Sequence, residues 1–306
     1  MSALEEKLKR YCEPSSQNEQ DMQDRAERMV RRAVGSWASY WGETNLKYVP
    51  KGSYANNTNV RQDSDVDIAV VRTAFWYIDD SALMPADKVM RSHRDYPFEG
   101  IEFRNDLAVF LKSEWGDGCD TTGTTAIELV ENTGRVKADI VPSFKFCKYD
   151  YDADGRVVQH CGQKVFRTDG TSVVNYPDQQ LENGRAKNVA TGGRYKKLVR
   201  ILKRAENELV KSGHLEALPS YFMECLMYRV PNDYFGHTGD SGLTDDLTAA
   251  IAYIWSATNP GAPAQGWKEP NEIKPLFGLG QKWAMDDAHN LMLHVFGLFD
   301  LGEEAA

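Results

Sequence analysis

Between Glu19 and Trp41, apolar residues recur at Met22, Ala26, Met29, Ala33, Trp37 and Tyr40. That three-and-four spacing predicts one long amphipathic helix. A polar stretch, Pro14 to Asn18, precedes it and reads as a mobile start. Downstream the pattern shortens to alternation: Leu46 to Pro50 and Asp65 to Arg72 read as strands, as do Glu102 to Leu111 and Arg135 to Phe146. Thr124 to Glu131 fits either state, and Gly116 to Gly123 reads as a polar loop. From about Asn183 the helical period returns. Leu198, Ile201, Leu202, Ala205 and Leu209 form the apolar face of a helix from Arg194 to Lys211. Pro219 stands where prolines open helices, before Ser220 to Arg229. Leu243 to Ala257 and Gln281 to Leu298 complete the helical set, and the proline-rich Asn259 to Pro275 reads as loop. A mixed first half and a helical second half predict an α+β fold, with a core over 1–180 and a helical lobe over 181–306.

Composition narrows the chemistry. The formal net charge of -9 over 306 residues disfavours a protein built to grip duplex nucleic acid, which needs a basic field. Anion handling would then depend on bound cations and a few placed Lys or Arg side chains. No apolar run reaches the roughly 18 residues of a membrane span, and Met1 to Tyr11 lacks the apolar stretch of a secretory signal. The five scattered cysteines form no CxxC pair, which points to a reducing cytoplasm without disulfides or a zinc ribbon.

Asp65 and Asp67 stand two apart on a predicted strand, so both carboxylates leave the same face while Val66, Ile68 and Val70 leave the other. Paired carboxylates repel unless a cation lies between them, and Mg²⁺ or Mn²⁺ is the natural oxygen-bound occupant. Asp139 is a further acid in an apolar strand run, and three acids on neighbouring strands suit two metal ions. Gly52-Ser53, separated from Asp65 by eleven intervening residues, supplies a backbone open to phosphate and a hydroxyl that can donate to it. Taken singly, each feature has an ordinary reading: a solvated strand face, an uninformative dipeptide, a salt-bridged acid. Lys196, Arg200 and Lys203 share one stripe of their helix, either a solvated basic face or a clamp for a triphosphate. Lys197 and Arg204 read as solvated.

The combination resembles the polymerase-β-like nucleotidyltransferases, whose signature is Gly-Ser, a spacer, Asp-x-Asp and a later acid. The likeness is closer to the bacterial cGAS/DncV-like nucleotidyltransferases of clade E. It is carried by Lys51 to Arg61, Asp63 to Asp67, Ala138 to Val141 and Val173 to Pro177. Further blocks are Glu182-Asn183-Gly184, Ala186-Lys187-Asn188, Tyr195-Lys196, Arg200 to Lys203, Pro219 to Phe222 and Glu224-Cys225-Leu226.

The resemblance implies a nucleotidyltransferase palm with a long spine helix, packed against a helical C-terminal lobe. The implied activity makes a cyclic dinucleotide or trinucleotide messenger from nucleoside triphosphates in CBASS anti-phage defence. In that reading Gly52 and Ser53 bind the donor triphosphate and Asp65, Asp67 and Asp139 hold two Mg²⁺, Mn²⁺ being able to substitute. Lys203 and Ser220 contact the phosphate tail, and Tyr221 stacks on a base. Asn175 corresponds to an asparagine associated with pyrimidine choice in clade E, and its amide can pair with N3–H and O4 of uracil. UTP and ATP are then the expected substrates, with cyclic UMP-AMP first and cyclic di-UMP next. A bacterial cytoplasmic monomer is implied, needing no duplex nucleic acid and no membrane, its product read by a separate effector. Tyr221 as a core residue and Asn175 as a turn residue stay open. So do a transferase that tails an RNA end or small acceptor, and a catalytically silent nucleotide-binding scaffold. The terminal Leu301 to Ala306 reads as a frayed end or a conjugation point.

Overall fold

A computed structural model describes residues 2–42, 44–60, 65–88, 100–239, 241–259 and 261–302. Arg61, Asp63, Ser64 and the tail Glu303 to Ala306 lie outside the described residues. In chain order the elements are α1 (Ala3–Tyr11), α2 (Gln17–Trp41), β1 (Leu46–Lys51), α3 (Gly52–Asn56), β2 (Val66–Asp79), α4 (Gly100–Trp115), β3 (Cys119–Asp120) and β4 (Ile127–Leu129). There follow β5 (Ala138–Tyr151), β6 (Val157–Phe166), β7 (Ser172–Asn175), α5 (Pro177–Ala190), α6 (Arg194–Lys211), α7 (Ser220–Arg229), α8 (Leu243–Ala257) and α9 (Met285–Leu298). No helix among the described residues is long and apolar enough to cross a membrane.

The chain divides into two units. One comprises Ser16–Tyr54 and Ser64–Pro177; the other comprises Met1–Ser15, Ala55–Asp63 and Asp178–Ala306. The helical unit thus takes the first fifteen residues and the run after Tyr54 as well as the chain from Asp178 onward.

In the sheet unit, Ser16 opens α2 with a capping box: its hydroxyl accepts from Glu19 N, and the Glu19 carboxylate accepts from Ser16 N at 2.8 Å. The sheet runs β1-β2-β5-β4-β3, with β6 on the far half of β5 and β7 beyond it. β2 and β5 are parallel, and the other pairings are antiparallel. Val66, Ile68, Val70, Ile140 and Phe144 leave one face and bury against Ala26, Val30 and Trp37 of α2 and Phe103, Leu107 and Leu111 of α4. The other face carries the smaller cluster Val49, Ala69 and Val71 and the polar residues described below.

The strand expected from Glu102 to Leu111 is the middle of α4 instead. Its buried residues Phe103, Arg104, Leu107, Ala108 and Leu111 follow the helical period, which the apolar content of the run concealed. The loop expected from Gly116 to Gly123 contains β3, which pairs with β4 in the ambiguous Thr124 to Glu131 segment.

The helical unit is built on α6, whose Tyr195, Leu198, Val199, Ile201, Leu202 and Ala205 are buried against α7, α8 and α9. α1, for which no element was expected, contributes Leu8 to the same core.

Candidate active site

Strand register assembles the sheet's polar face. Lys51 on β1 pairs with Asp67 on β2, Asp67 pairs with Asp139 on β5, and Asp139 pairs with Glu128 on β4. Directly paired residues project to the same side, so Lys51, Asp67, Asp139 and Glu128 form one row across four strands. A second row lies two residues earlier: Lys137 Nζ is 2.9 Å from Asp65 Oδ2, 3.7 Å from Asp139 Oδ1 and 3.6 Å from Glu128 Oε2. The sheet thus brings together the three acids read from the sequence. It adds Lys51, Lys137 and Glu128, to which sequence reasoning gave no role. The signal for Lys137 was present, since it stands two residues before Asp139 just as Asp65 stands two before Asp67.

The electrostatics follow from this crowding. Burial, reinforced by the Asp139 charge, raises Asp67 to about 6. Burial also raises Asp139, against the pull of Lys137. Burial pushes the Lys51 ammonium down to about 8, with Asp67 opposing. For Lys137 burial acts downward too, but Asp65, Asp139 and Glu128 outweigh it and hold the ammonium above its usual value.

The donor set suits a hard divalent cation. It is all oxygen, two of its carboxylates repel each other in register, and Asp139 Oδ1 is buried with no hydrogen-bond partner among the described residues. The same residues do not close a cage of three acidic, histidine or cysteine ligands. A Mg²⁺ held by one or two carboxylates and completed by substrate phosphates needs none.

Gly52 explains the Gly-Ser step. Its φ is +63°, in the left-handed region, and a Cβ there would stand 2.3 Å from Asp67 Oδ2. Only glycine lets the backbone at the end of β1 approach this carboxylate. Gly52→Ala is expected to displace the Asp67 carboxylate and lower turnover about 100-fold, the scale of an ångström-sized misplacement. Steady-state product formation checks this; wild-type turnover in a folded variant would remove the close approach from the site. Ser53 follows on α3, partly buried. Asn175, the last residue of β7, reaches the same face through the register chain Lys145, Gln163, Asn175. It is partly buried.

The remaining predicted residues belong to the helical unit, where Arg200 and Lys203 are buried while Lys197 and Arg204 stay partly exposed. Arg200 is buried and donates to the carbonyls of Cys12 at 2.6 Å and Asn57 at 2.8 Å, and burial lowers its guanidinium to about 10. Lys203 is 1% exposed. Lys196 is partly buried, which lowers its ammonium. Lys197 and Arg204, expected to be solvated, reach backbone carbonyls of Gly239, Arg10 and Glu13. A helix whose basic side chains bracket neighbouring segments satisfies carbonyls that would otherwise stay unpaired. Ser220 begins α7, partly buried. The Tyr221 hydroxyl donates to Glu269 at 3.2 Å, and its ring meets Trp283 edge to face.

The run after Ser53 is anchored within the helical unit residue by residue. Buried Glu224 accepts from Asn56 Nδ2 at 2.5 Å, Thr58 Oγ1 at 3.0 Å and Gln180 Nε2 at 3.1 Å. Asn57, at φ +51°, gives its carbonyl to Arg200, and Asn59 donates to Ser15 Oγ at 2.7 Å. Gly184 leaves room for the Asn56 amide, which a Cβ would meet at 3.3 Å.

A Gly-Ser turn beside in-register carboxylates on one sheet face, with a separate helical unit, defines the class as a nucleotidyltransferase. The profile of the cGAS/DncV-like nucleotidyltransferase C-terminal helical domain matches residues 182–299. The cyclic dipyrimidine nucleotide synthase CdnE of Legionella pneumophila is 35% identical over 94% of this chain and 95% of its own length. The synthase of the same name from Cecembia lonarensis is 31% identical over 94% and 96%. Among solved structures, the Rhodothermus marinus CdnE c-UMP-AMP synthase with Apcpp and Upnpp shares the fold at a TM-score of 0.81 and 24% identity, covering 99% of this chain and 98% of its own. The chain belongs to the cGAS/DncV-like nucleotidyltransferases, in their CdnE group.

Proposed function

We propose that the protein condenses two nucleoside triphosphates into a pyrimidine-containing cyclic dinucleotide, with UTP as one substrate and release of two pyrophosphates. The observation that carries this reading is the register pair Asp67–Asp139 beside Gly52, a two-carboxylate site at the foot of a phosphate-binding turn. Divalent cations held by Asp65, Asp67 and Asp139, two Mg²⁺ or Mn²⁺ in their place, would neutralise the phosphates and acidify the attacking 3′-hydroxyl. Asp139, whose Oδ1 is buried without a hydrogen-bond partner among the described residues, would help take that proton, and Ser53 with the Gly52 backbone would bind the donor phosphates. Lys203 and Ser220 are the helical unit's candidate contacts to a phosphate tail, and the partly exposed Tyr221 is its candidate base-stacking residue.

The Asn175 amide reads the uracil edge, offering a donor and an acceptor from the same sheet face as the acids. The two full-length relatives described above are named for dipyrimidine products, which favours cyclic di-UMP, or a mixed pyrimidine ring, over cyclic UMP-AMP. In this reading the product is a CBASS messenger made in the bacterial cytoplasm by a monomer and read by a separate effector.

The test is pairwise incubation of the four NTPs with Mg²⁺, followed by phosphatase and mass spectrometry. Phosphatase-resistant product is expected only where UTP is present, whereas a tailing enzyme would leave a phosphatase-sensitive or acceptor-linked product. Asn175→Ser is expected to cut the preference for UTP by about 10- to 100-fold. A variant with full uracil preference would remove Asn175 from base recognition.

A further inference from the structure

We propose that Lys137 is a built-in counter-cation of the carboxylate site, holding the place between Asp65 and Asp139 and yielding it to a divalent cation. The inference rests on the metal-dependent reading above and assigns a residue which that reading does not use. The Lys137 ammonium makes a short ion pair to Asp65 at 2.9 Å. At 3.7 Å from Asp139 Oδ1 it is near enough for charge attraction and too far for a hydrogen bond. One monovalent cation is therefore shared unequally by two carboxylates that divalent cations would bind.

Both cations cannot occupy this space, because an ammonium beside a divalent ion is a like-charge contact. Lysine can leave. Its charge sits at the end of a flexible four-carbon stem, and the side chain is 29% exposed. Glu128 supplies a destination: its Oε2 is already 3.6 Å from Nζ, and it follows Asp139 in the row, outside the predicted metal triad. A swing from Asp65 toward Glu128 keeps the ammonium paired while it frees the Asp65 and Asp139 oxygens. Before metal loads, Lys137 reduces repulsion among the acids; during loading, it is a competitor.

The sign of this competition is measurable without turnover. Mn²⁺ binding to the nucleotide-free full chain is followed by the loss of the free-ion EPR signal for wild type, Lys137→Met and Lys137→Gln. Both variants are expected to bind Mn²⁺ about 2- to 5-fold more tightly, the scale of removing one partly exposed ion pair. In EDTA both are expected to melt below wild type, and the Mn²⁺-induced rise in Tm is expected to be larger in them than in wild type. Equal or weaker Mn²⁺ binding by folded variants would overturn the inference and make Lys137 a fixed spacer. If wild type and variants alike bind no Mn²⁺, this inference falls, whereas the metal-dependent reading, whose ions are completed by substrate phosphates, falls only if cyclic product forms at full rate in EDTA.

Discussion

Replacing Asp65 and Asp67 together by Asn is expected to lower cyclic product formation by at least about 1,000-fold while leaving the fold intact. The fold survives because neither carboxylate supports the core: the sheet is held by Val66, Ile68 and Val70 on the opposite face. The single variant Asp67→Asn carries a second, less obvious expectation. Asp67 is held at about 6 in the folded protein, above its ordinary 3.8, first by burial and then by Asp139. A carboxyl raised in this way binds its proton more tightly in the folded state than in the unfolded one. Its contribution to stability is present below about pH 4 and is lost as pH rises through about 6. In EDTA, Asp67→Asn is therefore expected to melt above wild type at pH 7 to 8, with the gap closing toward pH 4. Melting curves across that range check the sign. A variant that melts below wild type at pH 7 in EDTA would mean that Asp67 is a structural carboxylate and the site is not strained by charge.

The parts of this site that could be read in advance share one property: their chemistry repeats at the period of the element carrying it. Asp65 and Asp67 are two apart, Asp65 just ahead of β2 and Asp67 on it, and the strand follows from the apolar residues between and after them. Asp139 could be named as a lone acid in a β run, but its pairing with Asp67 depends on a parallel register spanning about seventy residues of chain. No local pattern encodes that separation. Glu128 was hidden for the same reason, with the added difficulty that β4 has only three residues. α4 was misread because a run dense in Phe, Leu, Ile and Val satisfies both periods, and only burial of the 103, 104, 107, 108, 111 set decides between them. Arg200 shows the opposite limit. Its helical stripe was visible, yet a stripe of cations says nothing about what it meets, and here two guanidinium nitrogens meet the carbonyls of Cys12 and Asn57. The family blocks around Asn56, Gly184 and Glu224 were legible as a resemblance before they had a physical meaning. The structure gives them one: they are the two sides of a single buried hydrogen-bond cluster.

That cluster supports the second large effect. Glu224 is 1% exposed and accepts from Asn56, Thr58 and Gln180, with Asn56 and Thr58 themselves buried. Glu224→Ala leaves two buried donors without an acceptor, at about 1–3 kcal/mol each. A loss on the order of 3 kcal/mol corresponds to a fall in Tm of about 6–12 °C for a unit of this size. Glu224→Gln keeps the volume but turns an amide NH₂ toward a donor, so an intermediate loss is expected. The consequence for turnover runs along the chain. Residues 56–59 lie in sequence between Ser53 and Asp65, and their bonds to Glu224, Arg200 and Ser15 anchor them within the helical unit. Both variants are expected to lose activity in step with stability and to regain most of it at temperatures well below their own Tm. A Glu224→Ala protein that melts with wild type would show that the cluster does not hold this segment. Activity lost at full stability would instead place Glu224 in substrate handling, which its hydrogen bonds to three side chains, two of them buried, argue against.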